Sequence, residues 1–73
     1  MTVVTINSKV QGGAPCFAGT RVPTSSLFDH LRKGYTVDEF LADFPTVSKA
    51  QVEALLDLAE ADVPKHAVPA APQ

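Results

Sequence analysis

Residues 12–24 read Gly-Gly-Ala-Pro-Cys-Phe-Ala-Gly-Thr-Arg-Val-Pro-Thr, and this stretch decides how the chain enters its fold. It holds three of the four glycines and two of the six prolines. Glycine permits backbone angles that other residues avoid and proline fixes one angle, so this composition predicts that the chain turns here. Residues 2–6 before it are all β-branched, and Cys16-Phe17-Ala18 can pair with them as a short strand or hairpin.

A first helix is predicted directly after this stretch, from Thr24 to Lys33. Its large apolar residues, Leu27, Phe28 and Leu31, share one face of a helix. Gly34 follows as a residue suited to the left-handed conformation that ends helices.

Two further helices each begin with a capping box. In this motif the N-cap side chain accepts a hydrogen bond from the backbone N–H three residues later, and the side chain of that later residue accepts one from the backbone N–H of the N-cap. The first box is Thr36-Val-Asp-Glu39, and Pro45 ends that helix near Asp43. The second box is Ser48-Lys-Ala-Gln51. The third helix is predicted from Lys49 to Asp62, since Pro64 disfavours its continuation.

These elements predict a mainly α fold, with a short N-terminal β strand or hairpin followed by a three-helix bundle of the helix-turn-helix type. We expect one domain over residues 1–63 and a disordered Pro/Ala-rich tail over residues 64–73. A domain this small buries only about 60% of its unfolded surface, so we expect a homodimer or a tight partner.

Composition excludes several classes of protein. One cysteine leaves no internal disulfide, and no charged segment followed by an apolar one opens the chain, so we expect a cytoplasmic protein. No apolar run is long enough to cross a bilayer, and membranes are not expected as partners.

The net charge is −2, but the two halves of the chain carry charge of opposite sign. Residues 1–35 carry four bases and one acid, whereas residues 36–73 carry two bases and seven acids. The N-terminal half is therefore the one suited to a polyanion such as nucleic acid.

Several motifs in this order and spacing resemble the family known as domain of unknown function 433. They are Gly12-Gly13-x-Pro15, then Gly19-Thr20-Arg21-Val22-Pro23, then Gly34 with Tyr35 to Leu41, and finally Phe44-Pro45. The resemblance covers residues 5 to about 60. It implies a homeodomain-like fold of three helices and the role of a VapB-type antitoxin in a type II toxin–antitoxin pair, usually beside a PIN-like ribonuclease toxin. The short tail departs from longer antitoxin extensions, so neutralisation is expected to rely partly on the third helix.

Two groups of residues are candidates for DNA binding. The first turn of the third helix occupies the position that reads the major groove in helix-turn-helix proteins, but four acids follow it and would be repelled by phosphate. The basic N-terminal half is the alternative surface, displayed twice in a dimer. The candidates are Lys9, Arg21, Arg32 and Lys33 in that half, and Ser48, Lys49 and Gln51 on the helix. A solvated surface is the alternative for each group.

The remainder of the third helix is the candidate surface for a protein partner. It is acidic and carries apolar residues beyond the stripe that faces the core. The residues concerned are Glu53, Asp57, Leu58, Glu60, Ala61 and Val63. A surface that is merely soluble is the alternative.

Arg21 has a structural interpretation beside the DNA-binding one. It follows Gly19 and Thr20 in a turn, and an ion pair with Asp29, Asp38 or Asp43 would tie the N-terminal segment to the helices. We favour this structural role, because a fold of this size needs such ties.

No catalytic centre is predicted. Cys16 has no nearby base in the sequence, and together with His30 and His66 it lacks zinc-binding spacing, so we expect neither a metal nor another cofactor. The first hypothesis is therefore an antitoxin that binds a ribonuclease toxin and operator DNA. The alternatives are a stand-alone DNA-binding regulator and, more weakly supported, an adaptor that binds only protein.

Overall fold

The computed structural model describes residues 2–66, which form an N-terminal antiparallel hairpin followed by three helices. The strands are β1 (Val4–Thr5) and β2 (Cys16–Phe17), and the helices are α1 (Thr24–Arg32), α2 (Val37–Asp43) and α3 (Lys49–His66). The mainly helical fold class predicted from the sequence is confirmed.

The hairpin pairs Val4 with Phe17 and Thr5 with Cys16. It is shorter than the β-branched run at residues 2–6, because β2 offers only two residues before the chain turns at Gly19. On its other side β2 bridges to Pro23, so the residues just before α1 are held against the hairpin.

Helices α2 and α3 begin where their capping boxes predict. In α2 the backbone N–H of Glu39 donates to Oγ1 of Thr36 at 3.1 Å, and the N–H of Thr36 donates to Oε1 of Glu39 at 3.0 Å. Ser48 and Gln51 make the same reciprocal pair at 3.0 and 3.1 Å. Each box satisfies two backbone donors that a helix N-terminus otherwise leaves unpaired.

The end of α1 is set by Gly34, whose φ is +87°. The N–H of Gly34 donates to the Leu31 carbonyl at 3.1 Å, and the N–H of Tyr35 donates to the His30 carbonyl at 3.0 Å. These two bonds close the last turn in the left-handed geometry that glycine adopts without strain.

The core is one cluster drawn from β2, all three helices and the α2–α3 turn. Its most buried members are Phe17, Leu27, Phe40, Val47, Val52 and Leu55. The ring of Phe40 lies at its centre, 6.0 Å from that of Phe17 and 4.9 Å from that of Phe44. Tilted aromatic pairs at these separations add to the free energy gained from burial.

His30 joins α1 to α2 at the edge of this core. Its Nδ1 lies 3.0 Å from the Ser26 carbonyl oxygen and its Nε2 lies 3.2 Å from Oδ2 of Asp43. Its ring also packs edge-on against Phe40 and Phe44, with centroids 5.3 and 5.4 Å away. The sequence gives no local signal for this contact, because the two helices meet only in the folded chain.

The predicted end of the third helix at Asp62 is wrong, since α3 continues through Pro64 to His66. A proline inside a helix removes one hydrogen bond, here the one to the carbonyl of Glu60. Glu60 is exposed, so water can hydrate that carbonyl and the helix continues. Residues 64–66 therefore belong to α3 and not to the tail, while the tail prediction for residues 67–73 lies outside the described residues.

Candidate nucleic-acid and protein interfaces

The first turn of α3 presents Ser48 and Lys49 to solvent. Ser48 is the cap of the helix, with its Oγ accepting from the N–H of Gln51. Within residues 2–66 the Lys49 side chain makes no hydrogen bond or ion pair. Lys49 is therefore the cation at this helix end that remains available to a phosphate.

Gln51, predicted to contact DNA, is occupied by the fold itself. Its Oε1 accepts from the N–H of Ser48, and its Nε2 donates to the Ala18 carbonyl at 2.8 Å. The second bond ties the start of α3 to the end of the hairpin, 33 residues earlier in the chain. Sequence reasoning missed this bond because the capping box accounts only for the local one.

Arg21 is placed by the tight turn that leaves β2. Gly19 adopts a φ of +75°, and the Thr20 hydroxyl both donates to the Phe17 carbonyl at 2.9 Å and accepts from the N–H of Val22 at 3.0 Å. The turn is thus closed by Thr20 beside an exposed Arg21.

The expected ion pair of Arg21 with Asp29, Asp38 or Asp43 is wrong. Within the described residues the Arg21 guanidinium pairs with no acid. Asp29 is bonded to Arg32 at 3.1 Å and Asp43 contacts His30, and Asp38 makes no ion pair in that part of the chain. The N-terminal segment is tied to the helices instead by the Gln51–Ala18 bond, while Nε2 of Gln11 donates to the Arg21 carbonyl at 3.2 Å within that segment. The guanidinium is left to solvent.

The four N-terminal bases form two separate pairs. Lys9 and Arg21 lie in the two loops that the Gln11 bond joins, before α1. Arg32 and Lys33 lie at the far end of α1, about 12 Å along the helix axis. Arg32 already forms an ion pair with Asp29, so it is less available to a bound anion than Lys9 and Arg21 are.

Helix α3 divides into two parts by burial. Its core segment, residues 49–59, contains Val52 and Leu55, which are buried, with Leu56 and Ala59 half-buried. Its distal segment, residues 60–65, is exposed at every position. The distal segment therefore extends about 9 Å beyond the core segment.

The predicted partner-binding residues are all exposed along α3. Glu53, Asp57 and Glu60 follow one another at helical spacing and form an acidic row. Leu58 is 54% exposed and Val63 is 62% exposed. Val63 lies on the same helix face as Leu56 and Ala59, which are half-buried. Large apolar side chains beside an acidic row are a composition suited to a basic protein partner.

Cys16 and His30 both have contacts within the fold. Cys16 is buried and its Sγ lies 3.4 Å from the Ala14 carbonyl, while both ring nitrogens of His30 have partners in the fold. Residues 2–66 contain no cluster of three histidine, cysteine, aspartate or glutamate side chains able to hold a metal ion. No helix in that part of the chain is long and apolar enough to cross a membrane.

Residues 4–59 match the family model described as protein of unknown function, DUF433. The chain belongs to the DUF433 family. The DUF433 match begins at β1 and ends at Ala59, so it includes both strands, α1, α2 and the buried residues of the core cluster. The distal segment of α3 lies beyond the DUF433 match. No curated protein and no solved structure matches the chain.

Proposed function

We propose that this DUF433 protein is the antitoxin of a type II toxin–antitoxin pair, acting in the cytoplasm as a homodimer that neutralises a PIN-like ribonuclease toxin. The family resemblance suggests the role, and one observation supports a binding function. The distal segment of α3 is helical and fully exposed, with Val63 uncovered and Glu60 extending the acidic row. It is a binding protein in this proposal, with no reaction of its own.

The proposed contact places Leu58, Ala61 and Val63 against apolar surface of the toxin. The acidic row of Glu53, Asp57 and Glu60 then faces basic side chains, which a ribonuclease needs to hold RNA. The complex would thus cover both the exposed apolar residues of α3 and the cationic surface of the toxin.

Autorepression of the operon is the second part of the proposal. The exposed cations Lys9, Arg21, Lys33 and Lys49 make no ion pair within the described residues, which supports contacts to phosphate. The same observation favours the alternative function, a DNA-binding regulator that has no toxin partner.

Co-expression with the adjacent open reading frame tests the proposal. An antitoxin should rescue growth from the neighbouring gene product and co-purify with it. A chain with Glu53→Gln, Asp57→Asn and Glu60→Gln, which raises the net charge by as much as the control below, should lose both properties while keeping its helical circular dichroism. The matched control changes exposed Ala42, Thr46 and Ala50 to Lys and should retain rescue.

Loss of rescue by the control as well would mean that net charge matters and the acidic row does not. A chain that binds its own promoter but neither rescues growth nor binds the neighbouring product is the stand-alone regulator.

A further inference from the structure

Strand β1 has one edge without a partner in the described structure. The sheet has only two strands, and the N–H of Phe17 donates away from β1, to the Val22 carbonyl at 3.0 Å. Phe17 and Val4 are therefore opposed without exchanging hydrogen bonds, and the N–H of Ala18 bonds the Val3 carbonyl beside them at 2.9 Å. It follows that the N–H and C=O of Val4 both point to the outer edge. Within residues 2–66 neither has a hydrogen-bond partner.

The residues of this edge lack the features that usually prevent another strand from pairing with it. Residues 2–6 contain no charged residue and no proline, which are the usual means of blocking an exposed strand edge. Ile6 is 70% exposed and lies two positions from Val4, hence on the same face of the strand. The edge combines unpaired backbone groups with an uncovered apolar side chain.

We propose that β1 pairs edge to edge with β1 of a second copy of this chain, antiparallel, about a two-fold axis at Val4. The inference deepens the homodimer of the proposed function by assigning its interface, and it rests on that dimer but not on the toxin. Each Val4 donates to and accepts from the other Val4. Thr2 of one copy lies opposite Ile6 of the other.

A second copy fits this edge for two reasons. The outward-facing backbone groups belong to residues 2, 4 and 6, which are symmetric about Val4, so a two-fold axis there matches every donor with an acceptor. The edge is also uncharged, so it offers nothing to a basic or acidic peptide, whereas another uncharged strand meets no repulsion. The product is a sheet of four strands in which Ile6 lies beside Val4 of the other copy.

Cysteine cross-linking tests the register. Positions 2 and 6 of opposite copies lie about 5.5 Å apart between Cα atoms as a hydrogen-bonded pair, within the span of a disulfide. Two copies of position 6 lie about 13 Å apart along the strands, beyond that span. The double variant Thr2→Cys with Ile6→Cys should give a covalent dimer under mild oxidation, and either single variant should not. Cross-linking by a single variant, or by none, would overturn the register.

A pair of lysine substitutions separates the dimer from the toxin interface. Ile6→Lys places a charge on the β1 edge and should convert the dimer to a monomer in sedimentation equilibrium, with toxin co-purification retained. Val63→Lys removes an equally exposed apolar side chain on α3 and should keep the dimer while weakening toxin binding.

A wild-type chain that sediments as a monomer, or an Ile6→Lys chain that stays dimeric, would overturn the β1 interface whatever the toxin result. If the wild-type chain alone is a monomer and Ile6→Lys abolishes toxin binding, the edge pairs with the toxin and not with a second copy. Normal toxin binding by Val63→Lys contradicts the proposed toxin contact and leaves the dimer inference unaffected.

Discussion

The core and distal segments of α3 belong to one continuous helix but differ in what their side chains contact. Within the core segment exposure depends on the face of the helix, since Leu55 is 9% exposed and Leu58, on the solvent side, is 54% exposed. Val52 is fully buried, and Val63, on nearly the same face, is 62% exposed. The difference arises because β2 and α2 cover only the first part of the helix, so identical residue types serve stability in one segment and remain available to a partner in the other.

The largest effect is expected from Leu55→Ala in the core segment. Removing a buried leucine side chain costs about 2–4 kcal/mol of unfolding free energy, which is a large fraction of the stability of a small domain. Leu58→Ala is the matched change on the exposed side and should fall within about 0.5 kcal/mol of the wild-type value. Urea denaturation followed by circular dichroism at 222 nm compares the two.

For toxin binding the order of these variants should reverse, with Leu58→Ala weakening the complex of a fully folded chain. Equal destabilisation by the two substitutions would mean that the Leu58 side chain packs on the domain, contrary to its observed exposure.

Local signals in the sequence were sufficient to place most of the elements. The capping boxes at Thr36 and Ser48 and the glycine at position 34 fix helix ends through bonds between near neighbours, so they can be read without the fold. The pairing of Cys16 and Phe17 with the opening strand was also predicted correctly, because β-branched residues and a turn suffice to define it.

The remaining features depend on tertiary contacts. The Gln51–Ala18 bond joins residues 33 apart, and Arg21 has no ion pair in the described residues, where Asp29 and Asp43 contact Arg32 and His30. The extension of α3 past Pro64 depends on the surroundings of one carbonyl, which are set by exposure and not by sequence spacing. Exposure likewise separates the core segment of α3 from the distal segment. The regular spacing of apolar residues along the helix does not show this difference.

A moderate effect is expected at Gln51, whose contact with Ala18 anchors the core segment. Gln51→Glu keeps the oxygen that accepts from Ser48 but removes the N–H that donates to the Ala18 carbonyl, so we expect a loss of about 1 kcal/mol. Glu39→Gln is the matched change in the other capping box, which has no such distant bond, and should be nearly neutral. Parallel urea titrations measure both. A neutral Gln51→Glu would show that the bond to Ala18 contributes nothing to stability.

A smaller effect is expected on DNA affinity when an unpaired arginine, Arg21, or a paired one, Arg32, is removed. Arg21→Ala should lower the slope of log affinity for promoter DNA against log salt concentration by about 1, because a free guanidinium releases a counterion on meeting phosphate. Arg32→Ala should lower the slope less, since Asp29 already neutralises that side chain. Fluorescence anisotropy at several salt concentrations gives both slopes. Identical slopes in the wild type and Arg21→Ala would remove Arg21 from the DNA surface.

The smallest effect is expected from Pro64→Ala in the distal segment. The change restores a backbone hydrogen bond in a part of α3 that contacts no core residue, so helical circular dichroism should rise slightly. The urea midpoint should stay within error of the wild type. A clear rise in the midpoint would show that the distal segment contributes to global stability.

Amide hydrogen exchange of the full chain, with and without the product of the adjacent gene, tests the division of α3 most directly. In the free protein the amides of residues 53–59 should exchange slowly and those of residues 60–63 and 65 quickly, because only the first set lies in the packed part of the helix. Adding the partner should slow exchange most in residues 60–63 and 65, because these amides are the least protected in the free protein and lie at the proposed contact. Slow exchange of residues 60–63 and 65 in the free protein, or no change on adding the partner, would contradict the account.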